Sequence, residues 1–373
     1  MPTTRSPRTP RVAPMELFYD LVFVVVIQQL SVRVESSPSA ADYLAVGGLT
    51  AVIWLCWLNQ LLLMNQLPAR GGREIGLVLI AMAGLGVMAI SFGEAQPWDP
   101  HVFVIGYVVS RTALWPLWSR TPSRPNLWTP FVFGPALATV WLATLALPSP
   151  LMVAAWAILV TVEVWIVIAG LPSVAHEAAH LSERAGLFVL ILLGDCIAET
   201  VTAVTPYSPA PSWFVAAAAF GTTCLIWVTY FVVGSHPVRH MPSGVAPGYV
   251  RDVILIGHLI LVLGLLLLAA GFNAAIDSAG AVSVPAATTI GISGGTVLVL
   301  AAQALIALRA GAPALRTSLW MFSLALTAAI PLASGPVAAF SSFGIACWAL
   351  AIQGAVVILF WHGRVRDQRP PED

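Results

Sequence analysis

Two pairs of acids raise the first chemical question. Glu16 and Asp20 stand four residues apart in ELFYDLVFVVVIQQLS (16–31), and Asp195 and Glu199 stand four apart in LLGDCIAET (192–200). That spacing puts both members of a pair on one helix face, yet both segments are otherwise built largely from apolar residues. A carboxylate in such surroundings costs several kcal/mol unless it is paired, wetted or protonated. It can carry a proton or cation, or act as a general acid once burial keeps it protonated. Gln28, Arg111, Glu163 and His258 also interrupt apolar runs. The plainer alternative for Glu16 and Asp20 is pairing with Arg184 and Arg111 to fix helix packing, and Arg111 could equally be a counter-ion to Glu163 or Asp195, or an anion ligand. A further motif, HEAAHLSE (176–183), reads as H-E-x-x-H followed by a carboxylate. On a helix, His176, His180 and Glu183 would share a face with zinc-site spacing, with Glu177 as general base. The competing reading is a helix end where histidines and acids are solvated.

The elements that must position these groups follow from composition. Hydrophobic residues make up 58% of the chain and charged residues 9%, with a mean hydropathy of +0.88. Such values exclude a soluble globular domain, so the fold class is all-α, a polytopic membrane helix bundle. The basic residues are all Arg and balance the acids, which leaves no electrostatic case for a nucleic-acid partner. Cys56, Cys196, Cys224 and Cys347 fall in apolar stretches at irregular spacing, as small packing residues rather than disulfide or zinc ligands. No cofactor and no metal is expected.

Runs long enough to cross a bilayer end near residues 34, 64, 93, 119, 147, 170, 203, 234, 272, 308, 334 and 361. With the N-terminus inside, every arginine except Arg33 and Arg111 lies at a cytoplasmic loop or end, a strong positive-inside bias. The reading is twelve spans with both termini cytoplasmic in a bacterial inner membrane. Residues 1–14 form an N-terminal tail, 15–170 a first six-helix half, 171–361 a second, and 362–373 a C-terminal tail. The first 14 residues look like a signal-peptide n-region, but no small-residue cleavage site follows the first span, so its retention is expected.

The halves carry a faint ordered repeat. Glu16 answers Glu183, and Ile53-Trp54 through Trp57-Leu58 answers Ile226-Trp227 through Tyr230-Phe231. Arg73-Glu74 answers Arg251-Asp252, Gly86 answers Gly264, Leu127-Trp128 answers Leu319-Trp320, and Trp156 answers Trp348. The offset never falls along the chain, as loop insertions require. Six helices is an even number, so the halves should be related in parallel, about an axis along the membrane normal. Gln28 and its mate Asp195 lie about 18 Å along the helix from Glu16 and Glu183. Glu163 and Arg111 reach similar depth from the other side.

These residues resemble the low temperature requirement A (LtrA) family of bacterial membrane proteins. The resemblance rests on ELFYDLVFVVVIQQLS, on GYVVSR (106–111), and above all on HLSERAGLFVLILLGD (180–195), with weaker support from IWVTYF (226–231), His258 and Gly264. It implies that the family's first-span acids are Glu16 and Asp20 and that its His-x-x-Glu-Arg element is His180, Glu183 and Arg184. Asp195 stands where the family has Glu, and Ala185 where it has an aromatic. The family name records a growth phenotype, so the resemblance implies membership rather than a reaction. It also accounts for His180, Glu183 and Arg184 without His176, which argues against the zinc reading.

Two functions fit. In an ion-coupled secondary transporter, Asp20, Asp195 and Glu199 carry the proton or cation. Glu16, Gln28, Arg111, Glu163, His180, Glu183, Arg184, Trp227 and His258 then line the path of a small molecule. The absence of a G-x-x-x-x-G-K-[ST] loop argues for ion coupling over ATP. The alternative is an intramembrane enzyme on a lipophilic lipid or isoprenoid substrate, using acid catalysis or a metal at His176 and His180. Trp54, Trp57 and Trp227 would then line an apolar cavity and stabilise cationic character. Membrane lipid is a partner in either case.

Overall fold

The structure is a computed structural model, and it describes residues 12–34, 39–67, 71–92, 98–121, 132–170, 178–234, 247–281, 284–309, 314–333 and 341–367. They form twelve helical rods and, among the described residues, no strand. Four rods make up the front of the chain: α1 (Pro14–Ser31), α2 (Ala40–Gln66), α3 (Gly72–Ile90) and α4 (Pro100–Trp118). A π-helical turn at Val132–Ala136 continues as Leu137–Thr144 to give α5, and α6 is Ser149–Gly170. Next come α7 (Ala178–Ala203) and α8, which is Ala210–Trp227 plus a π-helical turn at Val228–Gly234. In α9, Pro247–Tyr249 leads through a π-helical turn, Val250–Gly257, into His258–Asp277. In α10, Ala286–Thr289 leads through another, Ile290–Gly294, into Gly295–Arg309. The last rods are α11 (Ala314–Ala328 and Ile330–Ala333) and α12 (Ser342–Asp367).

Local sequence explains several starts. Ser39 and Asp42 form a capping box on α2: the Ser39 N–H donates to Asp42 Oδ2 at 2.8 Å, and Ser39 Oγ accepts from the Asp42 N–H. Asp99 caps α4 by accepting from the His101 N–H at 2.8 Å, with Pro100 beginning the first turn.

Nine helices among the described residues are long and apolar enough to cross a membrane. They lie in α1, α2, α3, α6, α7, α8, α9, α10 and α12. The sequence reading counts twelve, and the three remaining rods differ for visible reasons. His101 and Arg111 interrupt α4, α5 is short, and only Met321–Leu332 of α11 is apolar. Large apolar side chains such as Leu151, Ile158 and Trp165 of α6 face outward, as a lipid-facing surface requires. The chain is a multi-pass helical membrane protein.

Two helix hairpins are built alike. In α3/α4 a Cβ on Gly84 would lie 2.6 Å from the Ser110 nitrogen and 2.7 Å from the Gly106 oxygen, so only glycine permits this backbone approach. In α9/α10, Gly264 and Gly295 meet in the same way, with a Cβ on Gly295 2.8 Å from the Gly264 oxygen. At one end of the first hairpin Arg120 Nη1 lies 2.7 Å from Glu74 Oε1; at the matching end of the second, Arg309 pairs with Asp252. The glycine that answers Gly264 in this packing is Gly84, because Gly86 has open space around it. A tryptophan bond also ties α6 to α5 and α12 to α11. Trp156 Nε1 donates to Thr144 Oγ1, and Trp348 Nε1 donates to the Thr327 carbonyl. Leu127 and Trp128 lie outside the described residues.

Candidate functional site

Helices α1 and α7 meet lengthwise. On α7, His180, Arg184 and Phe188 recur every four residues and stack on one buried face; on α1 the corresponding face carries Glu16, Asp20 and Phe23. Residues near the start of α1 touch residues near the start of α7, and Ser31 at the end of α1 touches Glu199 near the end of α7. The two helices therefore run parallel, with α2 closing the seam from the side.

At the starting end of this seam lies a buried charge cluster. Arg184, fully buried, places Nη2 2.8 Å from Asp20 Oδ1 and Nε 3.3 Å from Asp20 Oδ2. Its Nη1 reaches Glu16 Oε2 at 3.4 Å, and Nη2 also donates to Gln60 Oε1. Trp57 Nε1 donates to Asp20 Oδ1 at 2.8 Å, and its ring lies 5.9 Å from the guanidinium carbon. His180 Nε2 is 3.0 Å from Glu16 Oε2, while its Nδ1 is 3.2 Å from Asn65 Nδ2. The fork geometry matches what arginine supplies and lysine does not. In a low-dielectric interior, such pairing is what makes buried charge tolerable.

Beyond the cluster the seam is closed by rings. Trp54 and Trp57 stack at 4.4 Å, Trp57 meets Phe188 at 4.6 Å, and Phe23 meets Phe188 at 5.6 Å and Trp54 at 6.2 Å. All four side chains have no solvent exposure. Past this plug the seam turns polar again: Ser31 Oγ lies 3.3 Å from Glu199 Oε1 and 2.8 Å from the Gln28 carbonyl. About 16 Å of α1 separates Asp20 from Ser31, and about 22 Å of α7 separates Arg184 from Glu199.

A second buried ion pair stands apart, among α2, α4, α5 and α6. Arg111 Nη2 lies 3.0 Å from Glu163 Oε2, and Nη1 donates to the Leu55 carbonyl at 3.1 Å. The Tyr107 hydroxyl lies within 2.7 Å of both Glu163 oxygens, and Trp141 Nε1 donates to Oε1 at 2.7 Å. This pair is electrically balanced and ties α2, α4, α5 and α6 together, the work of a packing lock.

The remaining expected residues are placed as follows. Asp195 is half-buried one turn before Glu199, and Gln28 is half-buried near the end of α1. Glu183 is exposed and does not open the helix, since α7 already runs from Ala178. Its neighbour Arg184 takes the inward position because adjacent helix residues diverge by about 100°. Trp227 is 41% exposed, turned outward beside Phe231, so it lines no interior cavity. His258 is buried: its Nδ1 donates to the Val253 carbonyl at 2.7 Å, so its Nε2 accepts from the Tyr230 hydroxyl at 2.8 Å. The same Val253 carbonyl takes the His258 backbone N–H, so the histidine braces the π-helical turn of α9. His176 and Glu177 lie outside the described residues, and among the described residues no three metal-ligating side chains come together.

Gln60, Asn65, Ser31, Tyr107 and Trp141 are participants that the sequence reading did not single out. Gln60 and Asn65 had a usable signal, being amides in a long apolar helix. Tyr107 and Trp141 had none, since a buried aromatic with a polar tip looks the same in sequence as one that only packs.

The comparisons bear on this site directly. The family model for bacterial low temperature requirement A protein (LtrA) matches residues 11–358 and so takes in α1, α2 and α7 entire. The chain is also 27% identical over 285 residues to the uncharacterized protein RA0937 of Rhizobium meliloti (strain 1021), covering 69% of this chain and 67% of that one. With a match across nearly its whole length, including both helices of the charged seam, the chain belongs to the bacterial low temperature requirement A (LtrA) family.

Proposed function

We propose that the protein is an ion-coupled secondary transporter whose path follows the α1/α7 seam. One observation carries the reading: a single helix seam holds buried polar groups at both ends, Asp20 with Arg184 and Ser31 with Glu199, and a ring plug between them. A purely structural ion pair needs no second polar station on the same line. A path closed at its middle does. Asp195, half-buried one turn from Glu199, adds a second acid to the far station. Transporters built from repeats place their sites near the midplane where the repeats meet, and α1 and α7 are the first rods of the two halves.

The frame for this function is twelve spans in two parallel six-helix halves, with both termini cytoplasmic in a bacterial inner membrane. The matching hairpins α3/α4 and α9/α10 support the repeat. Pairing of α4 along α3, from Glu74–Arg120 at one end to Phe92 against Phe103 at the other, supports counting α4 as a span. The cargo is a small molecule that crosses between α1 and α7, accompanied by a coupling ion.

Single cysteines at Asn65 and Gln28, on opposite sides of the plug, test the path in cells carrying a variant without the four native cysteines. Membrane-impermeant thiol reagents should reach Gln28Cys from outside and Asn65Cys from inside. Reaction of either site from both sides in a resting protein, or of neither site from any side, would dispose of the seam as a path.

A further inference from the structure

The charge cluster on α1 and α7 does not balance as drawn from its side chains. Glu16 and Asp20 bring two carboxylates, Arg184 one guanidinium, and all four ionisable members including His180 are at least nine-tenths buried. Among the described residues, the other groups that touch them, Trp57, Gln60 and Asn65 of α2, are neutral. Glu183, next to Arg184 in α7, is exposed. A net negative charge buried in a low-dielectric interior is strongly unfavourable. The Arg111–Glu163 pair has no such deficit. One additional positive charge is therefore needed in the first cluster, and the geometry says what it is and where it sits.

Asp20 is saturated as an ion: Oδ1 accepts from Arg184 and Trp57, and Oδ2 accepts from Arg184. Glu16 Oε2 has a longer contact to Arg184, 3.4 Å, and a closer one to His180 Nε2, 3.0 Å. A metal cation would need a cage of oxygen ligands, whereas N–H donors point at these oxygens. Hence the balancing species is a proton. Asn65 sets its position. With Nδ2 toward His180 Nδ1, the imidazole accepts there and is neutral; with the amide turned over, Oδ1 faces Nδ1 and an imidazolium is held between Asn65 and Glu16. Both arrangements use the same 3.2 Å approach.

We propose that Glu16 and His180 together hold one exchangeable proton, with the Asn65 amide as the positioning group, and that this proton is the coupling ion. The proposal deepens the transport reading and rests on it for the word coupling. In the step implied, a hydronium ion gives its proton to His180 Nδ1 from the side where α7 begins: one O–H bond breaks as the N–H bond forms, water leaves, and Asn65 turns to accept from the new N–H. Release reverses the step.

The test is nitrogen NMR on the full chain in lipid nanodiscs with ¹⁵N-labelled histidine, His180 being assigned by its disappearance in His180→Gln. The imidazole of His180 should pass from doubly protonated to neutral as pH rises, unaffected by 100 mM sodium. Glu16→Gln, which balances the cluster without a proton, should leave His180 neutral at every pH where the protein stays folded. His180→Lys supplies a fixed positive charge and should fold with no remaining pH response in the cluster. An imidazole neutral throughout in the wild type, displacement by sodium, or one equivalent of zinc lost on His180→Gln would each overturn the proposal. The two claims fail separately. A normal titration with no proton movement in proteoliposomes would remove the transport reading alone, and proton-coupled transport with His180 neutral throughout would remove this one alone.

Discussion

Replacing Arg184 by glutamine should be among the most damaging single changes in the protein. The side chain is fully buried and donates to Asp20 twice, to Glu16 and to Gln60, while its guanidinium rests against Trp57. Glutamine can reach one of these partners and carries no charge, so Glu16 and Asp20 are left facing each other. Removing one partner of a buried pair costs about 3–5 kcal/mol. For a chain of this size each kcal/mol moves the melting midpoint by about 2 °C, giving a fall on the order of 6–10 °C. The assay is thermal unfolding in detergent followed by tryptophan fluorescence. Asp20→Asn combined with Arg184→Gln should recover part of the loss, with a coupling of about 1–3 kcal/mol for residues in one network. Glu183→Gln, one residue away but exposed, should melt with the wild type. An Arg184→Gln protein that also melts with the wild type, or a double variant whose losses simply add, would refute the view that Arg184 holds the seam together.

Glu163→Gln should lower the melting midpoint, because Arg111 then stays buried without its counter-ion; a wild-type midpoint would remove the packing-lock assignment. Asp195→Asn keeps shape and removes the ionisable group, so it should insert and fold normally while uptake in proteoliposomes is lost. Unchanged uptake at all accessible pH values would take Asp195 out of the mechanism.

Much of the architecture is legible in the sequence because hydropathy is a one-dimensional property. The twelve apolar runs end within a few residues of the twelve rods, with the largest differences at α9 and α12, whose helices continue past the apolar stretch to Asp277 and Asp367. The pairing of helices is a different matter. Asp20 and Arg184 are far apart in sequence; charge alone offers both Arg184 and Arg111 as partners of the first-span acids, and only the parallel packing of α1 against α7 decides for Arg184. Orientation is hard for the same reason: the motif His-x-x-Glu-Arg presents Glu183 and Arg184 as equals, and only packing decides that the arginine faces in. The sequence pattern sets Trp227 against Trp54, yet one faces outward and the other stacks in the plug. The π-helical turns left no readable mark, since one added residue in a helical turn changes neither composition nor hydropathy. Gly86 and Gly84 show the limit of identity matching, because the glycine that matters is the one that another backbone touches.

If the α1/α7 seam is a path closed by Phe23, Trp54, Trp57 and Phe188, proton flux through an opened plug reveals it without knowledge of the cargo. Wild-type protein and Phe23→Ala are reconstituted into vesicles containing a pH-sensitive dye, and an acid pulse is applied outside. Since a buried Phe→Ala change also costs about 3–5 kcal/mol, both proteins are first matched for monodispersity and intact melting. Wild-type vesicles should stay tight, Phe23→Ala vesicles should acidify rapidly, and that leak should be lost when Asp20→Asn is added. A folded Phe23→Ala protein in vesicles as tight as the wild type would contradict the seam as a path.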